Sequence, residues 1–162
     1  RRALAGQPVF LSAGGRRVTS PNKNVYPATP RVGVGAIVIR DGAILLVKRG
    51  VEPGRGLWAI PGGTLRLGES MRECAAREVL EETGVTIAVG DCLYVFDLVE
   101  TDESGRIRFH FVVVDYAGRY VSGEPCGSDD ADEARWVKAG ELALLPVSEN
   151  TMKALYAIGF LT

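Results

Sequence analysis

The sequence predicts an α/β fold, in which strands and helices alternate along one chain. Three observations support this prediction. Residues 31–40 form a nearly unbroken apolar and β-branched run, residues 70–84 carry helix signals at both ends, and residues 148–160 place apolar side chains at helical spacing. With 162 residues, of which 46% are apolar and 24% charged, the chain has the size and composition of one globular domain.

The first strands are predicted by their apolar content and by a turn. Residues 31–40 predict a buried central strand, and Asp41-Gly42 joins it to a second strand, residues 43–49, as a hairpin. Residues 57–60 predict a short strand that runs into Pro61-Gly62-Gly63. Glycines at that place allow a backbone carbonyl to face a metal ion with no side chain in the way.

The central predicted helix begins and ends at clear signals. Ser70 followed three positions later by Glu73 is a capping box, and Gly84 is a left-handed stop. At 100° per residue, one arc is apolar and is expected to pack on a sheet; it consists of Ala75, Ala76, Val79 and Leu80. A second arc is acidic and consists of Glu78, Glu81 and Glu82.

Local helix energetics do not account for three acids at this place. Glu81 and Glu82 lie in the last turn, where the helix dipole disfavours anions by roughly 0.3–1 kcal/mol each. Arg77 lies four residues from both Glu73 and Glu81 and can bridge carboxylates, but it cannot neutralise all of them. A hard divalent cation would neutralise these carboxylates, because carboxylate oxygens are the ligands that Mg²⁺ and Mn²⁺ prefer. A solvated acidic face is the alternative interpretation.

The wider pattern decides between these interpretations. Gly63, five residues, Glu69, seven residues and then REVLEETGV at residues 77–85 resembles the Nudix hydrolase signature at all nine of its restricted positions. With common residues at about 7% each, chance produces such a match on the order of once in 10⁹ starts. By this resemblance the chain is identified as a member of the Nudix hydrolase family.

The resemblance implies both a fold and a chemistry. The implied fold is an α/β/α sandwich with a mixed central sheet, and the implied reaction is divalent-metal-dependent hydrolysis of a nucleoside diphosphate linked to another group. The implied ligands of Mg²⁺ or Mn²⁺ are the Gly62 carbonyl, Glu78, Glu81 and Glu82. Glu69 and Arg77 would brace the loop against the helix, and the structural part of the motif also includes Gly63 and Gly84.

A polar loop is expected over residues 118–132, ending in an acidic run. The ordinary interpretation of this run is a solvated loop. Relatives often take a general base or a further ligand from it, so Asp130 joins Glu81 and Glu82 as a candidate catalytic residue and Asp129 is a candidate substrate contact. Which acid acts stays open among Asp129, Asp130, Asp132 and Glu133.

The remaining elements follow from pattern. Residues 92–101 and 106–116 predict a strand pair joined by a hairpin loop, with His110 and Phe111 on opposite faces. A short strand is expected at residues 134–137 and helices at residues 141–145 and 148–160. His110, as a polar residue on a strand that lines the pocket in relatives, and Arg49 are further candidate substrate contacts.

The preferred substrate is ADP-ribose, which would give AMP and ribose 5-phosphate. The runs at residues 32–36 and 132–136 resemble the ADP-ribose pyrophosphatase branch of the family. Two alternatives stay open, namely an enzyme that clears nucleoside triphosphates and a non-catalytic ligand-sensing module. The module usually loses acids from the helix, and all three are present here.

Net charge and cysteine content limit which partners and which cellular compartment are expected. A net charge of −1 gives no electrostatic reason to expect a nucleic-acid polymer or a membrane as partner, so a small nucleotide is expected. Three cysteines without C-x-x-C spacing predict reduced thiols and a cytoplasmic location, with a catalytic Cys74 assisted by His110 as an alternative. No apolar run approaches the roughly 18 residues of a membrane span.

The predicted domain organisation is an N-terminal arm and one catalytic domain. Residues 1–30 lack periodicity and are rich in Gly, Pro, Ser and Asn, which predicts an arm that supplies a swapped strand or a homodimer contact. Residues 31–162 would form the Nudix domain. Arg1-Arg2 before a short apolar stretch leaves an export signal as the alternative for the start of the chain.

Overall fold

The computed structural model describes residues 24–128 and 130–162. It contains seven strands, two α-helices and one 3-10 helix in these residues. In chain order these are β1 Arg31–Arg40, β2 Ala43–Arg49, β3 Trp58–Ala59, β4 Gly62–Thr64, α1 Met71–Thr83, β5 Thr86–Thr101, β6 Ile107–Ser122, β7 Ala131–Lys138, the 3-10 helix Ala139–Leu144 and α2 Glu149–Ala157.

The strands form one mixed sheet in the order β3-β2-β1-β6-β5, with β4 paired to β1 and β7 paired to β2. β1 is parallel to β6, and the other pairs are antiparallel. The apolar sequence of β1 fits its central place in the sheet, because this strand has neighbours on both edges and helices over both faces. Near its start β1 pairs with β4 and β6 at once, so that Gly35 lies opposite both Gly62 and Asp115.

Two apolar cores lie on the two faces of the sheet. On the face covered by α1, which we call the α1 face, Val34, Ala36 and Val38 pack with Ala75 and other side chains of the helix. On the opposite face, the α2 face, residues such as Ile37 pack with side chains of α2. This layering confirms the α/β/α sandwich with a mixed central sheet.

Helix α1 has the predicted ends. The Ser70 hydroxyl accepts a hydrogen bond from the Glu73 N–H, the Glu73 carboxylate accepts one from the Ser70 N–H, and Gly84 is left-handed with φ 71°. The predicted apolar arc is wrong at Leu80, which is 50% exposed. The buried arc is centred on Ala75, Val79 and Glu82 and also takes in Cys74 and Thr83, so that Leu80 lies about 140° from its centre.

The strands after α1 are longer than the pattern indicates. The expected loop at residues 118–132 is wrong at both ends, because β6 continues to Ser122 and β7 begins at Ala131. Residues 118–122 pair with the start of β5, directly after the helix, and this pairing joins distant parts of the chain. The Asp41-Gly42 hairpin turn is confirmed, with φ of 51° and 74°.

The C-terminal elements differ modestly from the prediction. The first is a 3-10 helix, and the second begins after the Ser148 cap, whose hydroxyl accepts a hydrogen bond from the Thr151 N–H. The second ends at Ala157 rather than at Phe160. In the part of the chain that the structure describes, no helix is both long and apolar enough to cross a membrane.

The segment before β1 lies against the start of β6. The Tyr26 N–H donates to the Arg108 carbonyl at 2.8 Å, and the Tyr26 hydroxyl donates to Asp102 at 3.0 Å. Most of the arm expected at residues 1–30 lies outside the described residues, so the division of the chain at residue 30 stays a prediction.

Candidate active site

An acidic cavity of about 250 Å³ lies where the last turns of α1 meet the loop between β6 and β7. Every side chain that lines it carries an oxygen atom that can coordinate a metal ion. These residues are Glu78, Glu81, Glu82, Ser128 and Asp130. The structure therefore brings the three predicted acids of the helix together with Asp130. Ser128 was not predicted, and its only signal in the sequence is its place beside the acidic run.

Glu82 links the helix to the glycine segment before it. Its side chain is largely buried, and its Oε2 accepts a hydrogen bond from the Gly62 N–H at 2.9 Å. Burial raises the pKa of Glu82 to about 7, although the Gly62 N–H acts in the opposite direction. The ionised form of this carboxyl is therefore poorly compensated by its surroundings.

Glu78 packs directly against the backbone of Gly63. A Cβ atom at residue 63 would lie 2.5 Å from both carboxylate oxygens of Glu78, so Glu78 can hold this position only beside a glycine. Burial raises the pKa of Glu78, while its ion pair with Arg77 at 2.5 Å lowers it. The second helix acid is thus a mostly buried carboxyl whose pKa is raised overall.

Arg77 joins the loop before the helix to the acidic arc. Its guanidinium donates to both oxygens of Glu69, at 2.6 and 2.9 Å, and also to Glu81 at 3.1 Å. These hydrogen bonds hold the pKa of Glu69 at about 2. The predicted bridge from Arg77 to Glu73 is wrong, because Glu73 turns back to cap the helix at Ser70.

Two backbone hydrogen bonds fix the loop that carries Asp130. The Cys126 N–H donates to the carbonyl of Thr83 at the end of α1, and the Gly50 N–H donates to the Asp130 carbonyl, both at 3.0 Å. The loop is therefore tied to the helix and to the end of β2. Asp129 lies outside the described residues.

The two other predicted substrate contacts lie in different places. Arg49 donates from Nε to the Pro53 carbonyl at 2.7 Å, and its charge acts on Glu82. His110 lies on the α1 face opposite Val99 of β5 and is not among the residues that line the acidic cavity. Arg49, but not His110, is thus close to the acids of the motif.

The donor set of the cavity suits a hard cation. The polar side-chain atoms of its lining are all oxygens, and the carboxyls of Glu82, which is buried, and Glu78, which is mostly buried, have raised pKa values that a nearby positive charge would lower. In the described residues, no group of three or more Asp, Glu, His or Cys side chains already has the arrangement of a complete metal site. Glu78 and Glu81 instead pair with Arg77.

Cys74 does not have the properties of a nucleophile. Its side chain is fully buried, and burial raises the pKa of the thiol to about 12. The thiol therefore stays protonated at neutral pH. The alternative of a catalytic Cys74 assisted by His110 is wrong for this reason.

Comparison with known proteins places the chain in a family. The model of the NUDIX domain matches residues 29–157, which is most of the chain. The chain belongs to the Nudix family. The assignment made from the signature at residues 63–85 is thereby confirmed.

Similar proteins bear Nudix hydrolase names. An ADP-ribose pyrophosphatase of Methanocaldococcus jannaschii is 35% identical over 116 residues, which are 72% of this chain and 66% of that protein. The phosphatase NudJ of Escherichia coli K12 is 32% identical over 70% of this chain and 71% of its own length. The structure of a MutT NUDIX hydrolase from Burkholderia pseudomallei has a TM-score of 0.70 and 33% identity, covering 80% of this chain and 98% of that one.

These relatives fix the general class of the protein. The chain carries the domain of a hydrolase family whose members include pyrophosphatases, and it has the fold of that family. The match spans just under two thirds of the Methanocaldococcus protein.

Proposed function

We propose that this Nudix protein hydrolyses the pyrophosphate bond of a nucleoside diphosphate linked to another group, with ADP-ribose giving AMP and ribose 5-phosphate as its main reaction. The observation that carries the proposal is the acidic cavity, in which Glu78, Glu81 and Glu82 meet Asp130 beside the glycine segment. The similarity to an ADP-ribose pyrophosphatase supports this substrate.

The residues of the cavity would hold Mg²⁺ or Mn²⁺. Glu78, Glu81 and Glu82 with the Gly62 carbonyl are the proposed ligands, since hard cations prefer oxygen donors and the carboxyls of Glu78 and Glu82 have raised pKa values. When bound, the cation would supply positive charge to the diphosphate oxygens and lower the pKa of a water molecule. Gly63 lets Glu78 approach the backbone closely, and Arg77 orients both Glu69 and Glu81.

A carboxylate at the rim of the cavity would accept the proton of the attacking water. Glu81 and Asp130 are the two candidates, because both line the cavity and both are exposed. Glu81 is paired with Arg77, at 3.1 Å, and Arg66, at 3.5 Å. Asp130 is held through its backbone carbonyl by Gly50, which leaves its side chain free to turn toward the cavity.

A product analysis tests the substrate. Purified protein is incubated with Mg²⁺ or Mn²⁺ and a panel of ADP-ribose, other nucleotide sugars and nucleoside triphosphates, and the products are separated by chromatography. We expect AMP and ribose 5-phosphate from ADP-ribose as the fastest reaction. Faster release of inorganic pyrophosphate from a triphosphate would favour the alternative of a triphosphate-clearing enzyme, and no turnover of any nucleotide would favour a ligand-sensing module.

The setting of the enzyme is part of the same proposal. A small nucleotide is the proposed partner, the cytoplasm is the proposed location, and a homodimer that uses the segment before β1 is the proposed assembly. Arg49 and Asp129 stay predicted substrate contacts, and His110 stays one only if the substrate extends to the α1 face of β6.

A further inference from the structure

The carboxyl group of Asp115 is buried without a partner. It lies in the middle of β6, is 3% exposed and has no hydrogen-bond or ion-pair partner among the described residues. Burial raises its pKa to about 7. An uncompensated buried carboxyl is among the least favourable groups that a fold can contain, so its presence calls for a role in binding.

Asp115 is close to the active site but on the other side of the sheet. It lies opposite Gly35 of β1, which in turn lies opposite Gly62 of β4. Its Oδ1 occupies the space beside Gly35, 2.5 Å from where a Cβ atom would be. Three neighbouring strands therefore connect this carboxyl on the α2 face to the glycine whose N–H binds Glu82 on the α1 side.

The carboxyl is not sealed from solvent. In the described part of the chain, Trp136 Nε1 is the one buried side-chain nitrogen or oxygen that is fully enclosed and lacks a partner. Asp115 keeps a small exposed area, 3% of its surface. Its Oδ1 lies beside Gly35 on the α2 face, where that residue of β1 carries no side chain.

Two aromatic side chains of β5 lie beside Asp115 on the α2 face. Tyr94 of β5 lies directly opposite Asp115, and its ring centroid is 5.7 Å from that of Phe96. Phe111, four residues back along β6, is on the same face, while Gly35 adds no side chain. Aromatic rings beside a flat, side-chain-free strand are suited to a planar heterocycle, which stacks on such rings.

We propose that Asp115 is a specificity-determining residue that accepts a hydrogen bond from the exocyclic amino group of the substrate's adenine, while the diphosphate lies at the acidic cavity. The proposal rests on the proposed function for its substrate. The ionised carboxyl is an acceptor only, so above the pKa of Asp115 this site favours a base that presents an amino group over one that lacks it, and the test is made at about pH 8.

Binding of two nucleotides that differ only in that amino group tests the proposal. AMP and purine riboside 5′-monophosphate are titrated by calorimetry into the wild type, Asp115→Asn and Asp115→Leu, with EDTA present. We expect the wild type to prefer AMP by about tenfold or more, Asp115→Asn to keep part of this preference through its amide oxygen, and Asp115→Leu to lose it. Leu has the same number and branching of side-chain heavy atoms as Asp and suits the apolar α2 face, and the nearly isosteric Asp115→Asn gives a second variant that we expect to fold.

Asp97→Leu is the matched control, since Asp97 is exposed on β5 on the opposite face of the sheet. Its AMP preference should equal that of the wild type. A wild type without preference for AMP, or an Asp115→Leu variant that keeps it, would overturn the proposal. If the wild type hydrolyses ADP-ribose and Asp115→Leu keeps the AMP preference, only this inference is wrong. If the AMP preference depends on Asp115 but the wild type has no hydrolytic activity, only the proposed function is wrong.

Discussion

Glu82 is an ionisable residue at a position where the fold favours an apolar side chain. It lies on the buried arc of α1, where an ordinary helix has an apolar residue, and its burial raises its pKa to about 7. Such a carboxyl weakens the fold unless a positive charge accompanies it. The free-energy cost of burying the Glu82 carboxyl without a positive charge is the physical reason to assign this residue to a cation site.

The first prediction concerns Glu82→Gln. We expect kcat for ADP-ribose to fall by at least about a hundredfold, because the amide keeps the shape but removes the charge that would hold the cation. The melting temperature by circular dichroism should be unchanged or higher. Glu103→Gln, in the exposed turn between β5 and β6, is the control and should have wild-type kcat. Undiminished turnover in Glu82→Gln would refute the assignment.

The second prediction concerns Gly63→Ala. The new Cβ would overlap the Glu78 carboxylate, so Glu78 must move and we expect kcat/KM to fall by roughly tenfold or more. Gly140→Ala is matched to it, since a Cβ at Gly140 meets no atom within 4 Å. Steady-state kinetics of both variants decide the matter. Equal kinetics in the two would mean that close approach of Glu78 to the backbone is not needed.

The third prediction follows from the raised pKa of Asp115. Because the folded protein keeps a proton that the unfolded chain releases, Asp115 lowers the free energy of unfolding progressively as pH rises from about 4 to its pKa of about 7. Asp115→Asn should lose this dependence and gain, relative to the wild type, up to roughly 4 kcal/mol between these two pH values.

Urea unfolding in EDTA across this pH range measures the effect, with Asp97→Asn as the exposed control. Glu82 has a raised pKa in the same range, so the difference between variant and wild type is the informative quantity. Curves for the wild type and Asp115→Asn that stay parallel at all pH values would show that Asp115 has an ordinary pKa.

At the scale of the element, α1 and the loop before it behave as one unit. The capping box at Ser70 sets the start of the helix, and the bidentate ion pair from Arg77 to Glu69 ties the loop to it. Both side chains of this pair are mostly buried, at 16% and 13% exposure. Removing one partner of such a pair leaves a charge that water cannot fully solvate.

The fourth prediction is that Arg77→Gln lowers the free energy of unfolding by about 3 kcal/mol, the range known for breaking buried pairs. Activity should fall as well, since Glu69, Glu78 and Glu81 all lose their shared partner. Lys153→Gln, which breaks an exposed pair with Glu149 on α2, should cost less than about 0.5 kcal/mol. Similar denaturation midpoints for the two variants would contradict the prediction.

Elements whose signals are local could be predicted from the sequence. The ends of α1 and the turn after β1 depend on residues within four positions, and the structure confirms them. The exposure of Leu80 could not be predicted, because which arc of a helix faces the sheet depends on how the helix is placed. The sequence predicts that Glu73 both caps Ser70 and pairs with Arg77, and its carboxylate does only the first, because the side chain turns back to Ser70.

At the scale of the whole molecule, the site exists because distant segments are brought together by the sheet. The grouping of Glu78, Glu81 and Glu82 follows from helical spacing and could be predicted. Asp130 joins these three acids because β2 pairs with β7 and because the Gly50 N–H donates a hydrogen bond to the Asp130 carbonyl. No local sequence pattern encodes either contact. The placement of Asp115 beside Gly35 likewise needs the parallel pairing of β1 with β6.

The central claim is that the acidic cavity binds divalent cations when a diphosphate is present. Electron paramagnetic resonance of Mn²⁺, titrated into the protein with a non-hydrolysable ADP-ribose analogue, tests it most directly. We expect saturable Mn²⁺ binding in the wild type that is weakened at least about tenfold in Glu82→Gln and is unchanged in Glu103→Gln. Mn²⁺ that stays free in the wild type at millimolar concentration, or that binds Glu82→Gln equally well, would contradict the account.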